Sequence, residues 1–293
     1  MKIKTKIFNV FRIFFKIPFL EKVLRKFTNN RSPNSFISKL IPNHYQYKPF
    51  SWRKFTKNGI TFEVDISDYL GHYLYFFFDN SLHALLNMVK EGDYVFDIGA
   101  NIGSTSLYLA QKVGDKGKVF SFEPDPYNYE QLKKNLNLNS FSNIEIFNIG
   151  LGNNFATYKL FIDTPTNRGG NRILDEKMGI GKEFHYIQVE KFDDWINNLK
   201  INRVDLIKID VEGYEYNVLL GAENTLRKFK PKLFIELDDN NLKQQGHSAS
   251  MLVLFLENMG YKIINSMNGK NISSADDFKD CHYDIICYNE HSL

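Results

Sequence analysis

Short apolar runs alternate with longer amphipathic segments through most of the chain after residue 92. The apolar runs have the length of buried strands and fall at 94–98, 119–122, 144–148, 204–209, 233–237, 261–264 and 283–288. Apolar residues at helical spacing lie between them, at 104–113, 129–136, 218–226 and 249–259. This alternation predicts a doubly wound α/β fold with a mainly parallel sheet and helices on both faces. Ligands on such sheets bind at the carboxyl ends of the strands, so we expect the chemistry in the turns that follow them.

The chain before residue 92 has a different character. Residues 7–20 are mostly apolar, but the run is too short to span a bilayer and is interrupted by Arg12, Lys16 and Pro18. No small-residue cleavage site follows, so we do not expect a signal peptide. Two interpretations remain for residues 1–27. They form either a basic amphipathic helix in peripheral contact with an anionic membrane, or a leading helix that packs on its own domain or a partner.

Composition and charge support a large domain with an N-terminal helical extension. We divide the chain into a basic segment and connector at 1–50, a lead-in at 51–91 and the main domain at 92–293. The 293 residues are 43% hydrophobic, and the net charge is only +3. Residues 1–30 hold eight Lys and Arg against one Glu, so the remainder is slightly acidic. A slightly acidic body argues against nucleic acid as a partner.

The two cysteines indicate neither a disulfide nor a metal site. If Cys281 and Cys287 share one strand, their α-carbons lie too far apart for a disulfide bond. No CxxC pair is present, so the zinc-finger pattern is missing. We therefore expect a cytoplasmic protein without a structural metal, with membrane-peripheral attachment as the alternative left open by residues 1–27.

A glycine turn and an acidic residue point to a nucleoside. The turn after the first strand reads Asp97-Ile-Gly-Ala-Asn-Ile-Gly103, in which the glycines leave backbone N–H groups bare for a ligand. Dinucleotide sites use G-x-G-x-x-G, and that third glycine is missing here. Glu123 ends the next strand, where its carboxylate can accept hydrogen bonds from both ribose hydroxyls. No phosphate-binding lysine follows the glycines, so a nucleoside without a pyrophosphate fits best.

Four motifs together give the chain a resemblance to a known family. From Gly92 to about Asn265 it resembles the FkbM-type S-adenosylmethionine-dependent methyltransferases. The matching motifs are Asp97-Ile-Gly-Ala-Asn-Ile-Gly103, Phe122-Glu-Pro-Asp-Pro126, Asn148-Ile-Gly-Leu-Gly152 and Leu206-Ile-Lys-Ile-Asp-Val-Glu-Gly-Tyr-Glu215. The resemblance implies a seven-stranded, Rossmann-like class I methyltransferase fold whose last strand is antiparallel. It also implies methyl transfer to an oxygen, often a hydroxyl of a sugar or another small molecule.

The resemblance also implies which residues bind the cofactor. The turn residues Asp97, Gly99, Ala100, Asn101 and Gly103 are expected to surround the methionine part of S-adenosylmethionine, and Asp210 is expected beside its sulfonium. Glu123 is expected to hold the ribose. Asn148 is expected near the adenine, although a turn-forming side chain that bonds its own backbone explains it equally well.

An alcohol is a poor nucleophile while it is protonated, so the site needs a positioned base. Asp210 is the first candidate and Glu212 the second, both in the turn after the fourth strand of the predicted sheet. His247 is the third, in the polar loop after the fifth strand, where an ordinary surface role is the alternative. Acids at 236, 238 and 239 leave a metal-assisted variant open. An acidic rim facing solvent explains them without a metal, so we expect none.

Two further stretches bear on the acceptor. Residues 164–184 are glycine-rich and polar, and we expect this long loop to cover the acceptor. Residues 69–78 are strongly aromatic and form either a buried element or a platform for a sugar ring.

The Asn/Asp-Pro-Pro-aromatic run of amine methyltransferases is replaced by Asp210-Val-Glu-Gly213, so nucleic acid is a poor substrate. Two competing functions remain: a nicotinamide-dependent oxidoreductase, and a non-catalytic binding module on a methyltransferase fold.

Overall fold

The computed structural model describes residues 9, 12–28, 35–77, 80–174 and 177–289. The chain divides into two compact units. The first comprises residues 1–80 and 164–169, and the second comprises residues 81–163 and 170–293. The division of the sequence at residues 50 and 91 stays a prediction.

The first unit combines a helix, a hairpin and a second helix. Its elements are α1 (Pro18–Thr28), β1 (Trp52–Lys57), β2 (Ile60–Asp65) and α2 (Tyr69–Phe76), with single 3₁₀ turns at Ser38–Leu40 and His44–Gln46. β1 and β2 pair antiparallel across Asn58-Gly59, and both loop residues have positive φ. Asn-Gly favours this two-residue hairpin turn, a signal that our sequence analysis did not use.

Helix α1 packs on its own unit, as the second interpretation of the N-terminus predicts. Glu21 is buried, and both of its carboxylate oxygens accept from Arg53 of β1, at 2.6 and 2.9 Å. The guanidinium of Arg25 donates to the carbonyl of Tyr75 at 2.9 Å. Residues 1–8 and 10–11 lie outside the described part of the chain. Within the described part, no helix is long and apolar enough to cross a membrane.

The aromatic run at 69–78 contributes mainly to the core of the first unit. Helix α2 starts after Asp68, whose carboxylate accepts from the amides of the first turn. Tyr75, Phe76 and Phe77 are buried, whereas Tyr69 is about half exposed. Residue 78 lies outside the described part of the chain. The run is therefore largely a buried element rather than an open platform.

The second unit is built on a seven-stranded sheet. Its strands are β3 (Tyr94–Ile98), β4 (Lys118–Phe122), β5 (Ile144–Phe147), β10 (Leu206–Ile209), β11 (Lys232–Asp238), β12 (Lys262–Asn265) and β13 (His282–Tyr288). They lie in the order β12-β13-β11-β10-β3-β4-β5. β13 runs antiparallel to both of its neighbours, and the pairs from β11 to β5 are parallel. The sheet confirms the predicted α/β fold with an antiparallel last strand.

Eight helices belong to the described part of this unit, with α3 starting at its boundary. They are α3 (Asn80–Met88), α4 (Ser104–Val113), α5 (Pro126–Asn137), α6 (Phe192–Asn198), α7 (Glu215–Gly221), α8 (Glu223–Phe229), α9 (Asp239–Gln244) and α10 (Ala249–Asn258). The single helix predicted from Val218 to Leu226 is wrong. The buried carboxylate of Asp193 accepts from the amides of Asn224 and Thr225, which starts a new helix at this point.

A second, four-stranded sheet interrupts the predicted alternation between β5 and β10. It consists of β6 (Gly150–Gly152), β7 (Ala156–Phe161), β8 (Arg172–Ile173) and β9 (Phe184–Lys191), in the order β6-β9-β7-β8. Its inner side packs on the main core through Leu160, Ile187 and Val189. The stretch at 164–184, predicted as one long loop, therefore contains a strand of this sheet.

Both faces of the large sheet are buried. One face packs against α4 through a cluster that includes Val95, Leu206 and Phe234. The other packs against α7, α8 and α10 in the larger core cluster. Cys281 precedes β13 and Cys287 lies within it, and both thiols are buried and free. With both faces covered, the turns at the carboxyl edge remain as the surface available for chemistry.

Candidate active site

The turn between β3 and α4 brings backbone to the carboxyl edge of the sheet. A β-carbon on Gly99 would lie 1.8 Å from the carbonyl oxygen of Asp210, so only glycine allows this approach. Asn101 and Gly103 adopt left-handed backbone angles, with φ of 51° and 84°. The amides of Gly99 and Ala100 both donate to one carbonyl at the end of β4. The turn is thus fixed by its neighbours on both sides.

A buried lysine joins the ends of β3 and β10. Lys208 Nζ lies 3.3 Å from Asp97 Oδ1 and 3.2 Å from Asp210 Oδ2, and it donates to the carbonyl of Gly99 at 2.9 Å. Burial lowers the pKa of Lys208, but the two carboxylates outweigh burial and raise this pKa above its ordinary value. Asp97 Oδ2 accepts from Ser106 at 2.6 Å. Asp97 Oδ1 is buried, and the ion pair with Lys208 is the contact that it makes at this edge.

Glu123 follows β4, and its side chain accepts a hydrogen bond from the turn between β3 and α4. Its Oε2 accepts from the amide of Asn101 at 2.7 Å, and its Oε1 accepts from the amide of Asp125 at 2.9 Å. Burial raises the pKa of Glu123 to about 8. The Asn148 side chain donates to the Glu123 carbonyl at 2.9 Å and so does not bond its own backbone. Each carboxylate oxygen of Glu123 keeps a lone pair for a further donor.

The turn after β10 presents Glu212 in a strained conformation. Its φ is 55°, an unusual value for a glutamate. Its Oε2 accepts from Arg172 at 3.3 Å and from Asn241 Nδ2 at 3.1 Å, and Arg172 also donates to Asn241 Oδ1 at 2.6 Å. Burial raises the pKa of Glu212 to about 7. A carboxyl group with a pKa near neutrality is suited to proton transfer.

Two further carboxyl groups are buried beside Glu212. Glu215 Oε1 accepts from the amides of Val211 and Gly213, each at 3.0 Å, and so shapes the turn. Burial raises the pKa of Glu215 to about 7. Glu236 in β11 has one carboxyl oxygen buried without a hydrogen-bond partner. Burial and the charge of Asp210 raise its pKa well above the usual value, so these carboxyls hold protons more tightly than exposed acids do.

Comparison with family models decides between the candidate functions. A model described as the methyltransferase FkbM domain matches residues 97–263, which is more than half of the chain. The chain belongs to this family. It is therefore an S-adenosylmethionine-dependent methyltransferase, as the resemblance implies, and the nicotinamide alternative is not supported.

Several curated relatives of this FkbM-family chain are named as methyltransferases. Methyltransferase 1 of Beauveria bassiana is 27% identical over 59% of this chain and 74% of its own length. The hexuronic acid methyltransferase AglP of Haloferax volcanii is 25% identical over 50% of this chain and 56% of its own length. The 2-O-methyltransferase NoeI of Sinorhizobium fredii is 24% identical over 52% and 66%. The chain thus spans only part of the length of each relative.

Solved structures include a member of the same family. The FkbM methyltransferase of Methylobacillus flagellatus is 22% identical, with 67% of this chain covering 43% of that one at a TM-score of 0.42. The strand order of the large sheet and its antiparallel β13 are those of the class I S-adenosylmethionine-dependent methyltransferases.

The residues at the carboxyl edge fit S-adenosylmethionine. Asp97 Oδ1 is held by Lys208 at 3.3 Å without a well-aligned hydrogen bond, so it keeps a lone pair that an ammonium donor such as the amino group of the methionine part would fit. Glu123 keeps lone pairs for the two ribose hydroxyls. Asp97, Gly99, Asn101, Glu123 and Asp210 are brought together, but the role of each toward the cofactor stays a prediction. The same holds for Ala100, Gly103 and Asn148, which lie in the same turns.

His247 is not brought together with the two carboxylate candidates. Its ring packs against Tyr216 with centroids 4.7 Å apart, and its Nδ1 is buried without a hydrogen-bond partner. Burial lowers the pKa of His247. In the described part of the chain, no hydrogen bond or ion pair joins it to Asp210 or Glu212. We therefore leave His247 out of the mechanism proposed below.

Two of the three acids that kept a metal-assisted variant open, Asp238 and Asp239, have structural partners. Asp238 accepts from the amide of Asn241 at 2.9 Å and so caps α9. Asp239 accepts from the amide of Ala249 at 2.9 Å and pairs with Lys243. Across the described ranges, no group of three or more His, Cys, Asp or Glu side chains is arranged to hold a metal ion.

Sequence reasoning missed three polar residues of this edge: Lys208, Ser106 and Asn241. Lys208 had a usable signal, because a lone lysine inside the apolar strand β10 needs carboxylate partners to be buried. Ser106 and Asn241 carry no such signal. Serine and asparagine are common in the first turn of a helix. Their contact with an acidic residue is therefore visible only in the folded structure.

Proposed function

We propose that the protein transfers the methyl group of S-adenosylmethionine to a hydroxyl of a sugar, a glycan or another small molecule. The observation that carries this proposal is Glu212, a carboxyl group with a pKa of about 7 at the end of β10, next to Asp210. A hydroxyl acceptor needs such a group. Two relatives, named as a hexuronic acid methyltransferase and a 2-O-methyltransferase, support a sugar hydroxyl in particular.

Glu212 is better suited than Asp210 to accept the hydroxyl proton. The carboxylate of Asp210 is paired with Lys208 at 3.2 Å, so one of its oxygens is already engaged by an ammonium group. Glu212 is about half ionised near neutral pH, so it is often ready to take a proton and can release it afterwards. When bound, S-adenosylmethionine supplies an electrophilic methyl group. The order suggested by sequence, with Asp210 first, is therefore reversed in the mechanism that we propose.

The remaining polar residues align the reacting groups. Arg172 and Asn241 hold the Glu212 carboxylate from two sides, which fixes where a hydroxyl proton is accepted. Lys208 ties Asp210 to the turn after β3. Alignment of this kind supplies much of the rate in a displacement reaction, because the reactants are held in an attack geometry.

We propose that nucleic acid is not the acceptor. Residues 81–293 contain 23 Lys and Arg against 29 Asp and Glu, a balance that repels a phosphate backbone. The carboxyl groups of Glu212, Glu215 and Glu236 add acidic groups at the edge where the acceptor has to bind. A small neutral or weakly charged acceptor fits this edge better than a polyanion does.

Methyl transfer to a panel of hydroxylated acceptors tests the proposal. The purified chain is incubated with S-adenosylmethionine and simple glycosides, including a hexuronic acid glycoside, and formation of S-adenosylhomocysteine is followed. We expect product only when a free hydroxyl is offered, and none from the matching fully O-methylated glycoside. If the chain binds S-adenosylmethionine but no hydroxylated acceptor gives turnover above the blank, the non-catalytic binding module becomes the better description.

Residues 170–184, the part of the predicted loop that belongs to the second unit, are proposed to cover the acceptor. Arg172 contacts Glu212 from this segment, which supports the proposal. We expect S-adenosylmethionine together with an acceptor to slow tryptic cleavage after the exposed residues Lys177 and Lys182. Mass spectrometry of the fragments gives the rate at each site. A cleavage rate that does not change with either ligand would count against a covering role.

A further inference from the structure

One side of helix α1 packs against the rest of the first unit. Glu21, Leu24 and Thr28 follow helical spacing along this side and are 1%, 4% and 0% exposed. Arg25 lies beside them, with its guanidinium 4.4 Å from the centroid of the Phe55 ring. The position and rotation of α1 on its unit are therefore fixed by a salt bridge, a packed cation and apolar contact.

The opposite side of α1 is exposed and combines aromatic with basic side chains. Phe19 is 73% exposed and Phe27 is 58% exposed. Lys22 and Lys26 are exposed on the same side of the helix. A surface helix of a globular unit normally presents polar residues to water, so two outward phenylalanines on one short helix need an explanation.

The residues just before α1 extend this surface. Ile13, Phe14 and Ile17 are each at least half exposed, with exposed fractions of 62%, 57% and 50%. Five large apolar side chains are therefore exposed between residues 13 and 27. Soluble single-chain proteins seldom expose large apolar side chains in such a group unless the group contacts a partner or a membrane. The basic apolar surface is defined here as Ile13, Phe14, Ile17, Phe19, Lys22, Lys26 and Phe27.

The charge of the surrounding chain matches an anionic partner. Residues 1–80 contain fourteen Lys and Arg against five Asp and Glu. Glu21 is the acidic residue within residues 13–27. It is buried and paired with Arg53, so its negative charge does not offset the lysines of the basic apolar surface. Residues 1–80, which carry the basic apolar surface, therefore have a net positive charge, while residues 81–293, which carry the candidate active site, have a net negative charge.

We infer that the basic apolar surface binds the interface of an anionic lipid bilayer. Phenylalanine and isoleucine side chains enter the boundary between headgroups and acyl chains, while lysine stems extend to the lipid phosphates. A protein partner suits this surface less well, because lysine is depleted at the centres of protein interfaces. A helix lying in the interface also needs no length to cross the bilayer, in accord with the eleven residues of α1.

Co-sedimentation of the full chain with vesicles tests the inference. The vesicles contain either phosphatidylcholine alone or phosphatidylcholine mixed with phosphatidylglycerol. We expect binding to the anionic vesicles, weak binding to the neutral ones, and loss of binding as added salt shortens the range of charge attraction. The double variant F19A/F27A should weaken binding about tenfold or more, because two half-exposed aromatic rings no longer enter the bilayer. K22Q/K26Q should weaken it by a similar factor on anionic vesicles only.

A matched control separates this surface from exposed apolar residues in general. Phe155 of the second unit is 76% exposed, so F155A removes an equally exposed ring and should leave vesicle binding unchanged. Binding of S-adenosylmethionine, followed by calorimetry, and the circular dichroism spectrum and thermal unfolding curve should be the same in every variant, which shows that both units are folded whether or not the proposed acceptor is correct. The inference is overturned if the unaltered chain does not bind anionic vesicles, or if it binds neutral vesicles as tightly as anionic ones. It is also overturned if F19A/F27A binds anionic vesicles as tightly as the unaltered chain does. A dimer in lipid-free solution that F19A/F27A dissociates would assign the surface to a second copy instead.

Discussion

Replacing Glu212 with glutamine is expected to lower kcat for methyl transfer about 10²–10⁴-fold while S-adenosylmethionine binding is kept. The glutamine keeps the size of the side chain and can still bond Arg172 and Asn241, but it cannot accept a proton. The hydroxyl of the acceptor then has to lose its proton to water during the reaction. Steady-state kinetics give kcat, and calorimetry gives the affinity for the cofactor.

The pH profile provides an independent check on the same group. Burial, Asp210 and Asp238 raise the pKa of Glu212, whereas Arg172 and His282 lower it, and the balance is a pKa of about 7. Only the ionised carboxylate accepts a proton, so kcat/KM should rise with pH through about 7. The variant R172M removes a positive charge that lowers this pKa, and the rise should move to higher pH by about one unit. A purely structural role for Arg172 would lower activity without moving the profile.

The variant D210N discriminates between the two carboxylates. If Glu212 is the base, D210N should slow turnover less than E212Q does. The profile should still rise, but at a lower pH, because a negative charge that raises the pKa of Glu212 is removed. A larger loss in D210N than in E212Q, with a profile that no longer rises, would return the role to Asp210. Full activity of E212Q would exclude Glu212 as the base, and full activity of both variants would leave methyl transfer dependent on neither carboxylate.

The sequence was a reliable guide where structure is set locally. Strand β3 and helix α4 have the bounds that the apolar pattern predicts, and the turn between them was identified from its glycines. Helix α5 begins at Pro126, three residues before its predicted apolar pattern at 129–136, and the start signal that was not used is also local: Asp125 accepts from two amides and Pro126 occupies the first helical position. Such signals lie within a few residues of the helix or strand that they determine. The bounds of these elements can therefore be predicted from a single sequence.

The sequence was a poor guide where partners are distant in the chain. The four-stranded sheet pairs β7 with β8 and β9. β7 and β8 carry no clear period of two, whereas β9 alternates buried and exposed positions, a signal that the sequence interpretation did not use. The carboxylate of Glu212 meets Arg172 across forty residues and Asn241 across twenty-nine. Contacts of this kind depend on how the strands and helices pack together. They cannot be predicted from residue type or from spacing along the chain. The candidate residues were therefore found, but not the network that orders them.

Replacing Glu123 is expected to have the largest effect on cofactor binding. The variant E123Q puts an amide where each oxygen now accepts from a backbone N–H, so one of the Asn101 and Asp125 amides must lose its partner. Two predicted hydrogen bonds from the ribose also weaken, and bonds to a charged acceptor are worth about 1.5–3 kcal/mol each. We expect the Kd for S-adenosylmethionine to rise about 100-fold or more in calorimetric titration. E130Q, which removes the same charge from the exposed side of α5, should leave the Kd unchanged.

The same group should make cofactor binding sensitive to pH. Burial raises the pKa of Glu123 to about 8 in the free protein, so this carboxyl is largely protonated at pH 7. Ribose hydroxyls donate best to the ionised form, and binding should therefore release a proton below pH 8. The affinity of the unaltered chain should rise from pH 6 to pH 8, and titrations in buffers of different ionisation enthalpy should detect the released proton. E123Q should lose both effects together. An E123Q chain that remains folded, binds the cofactor as tightly as the unaltered chain and still releases the proton would show that the ribose is held elsewhere.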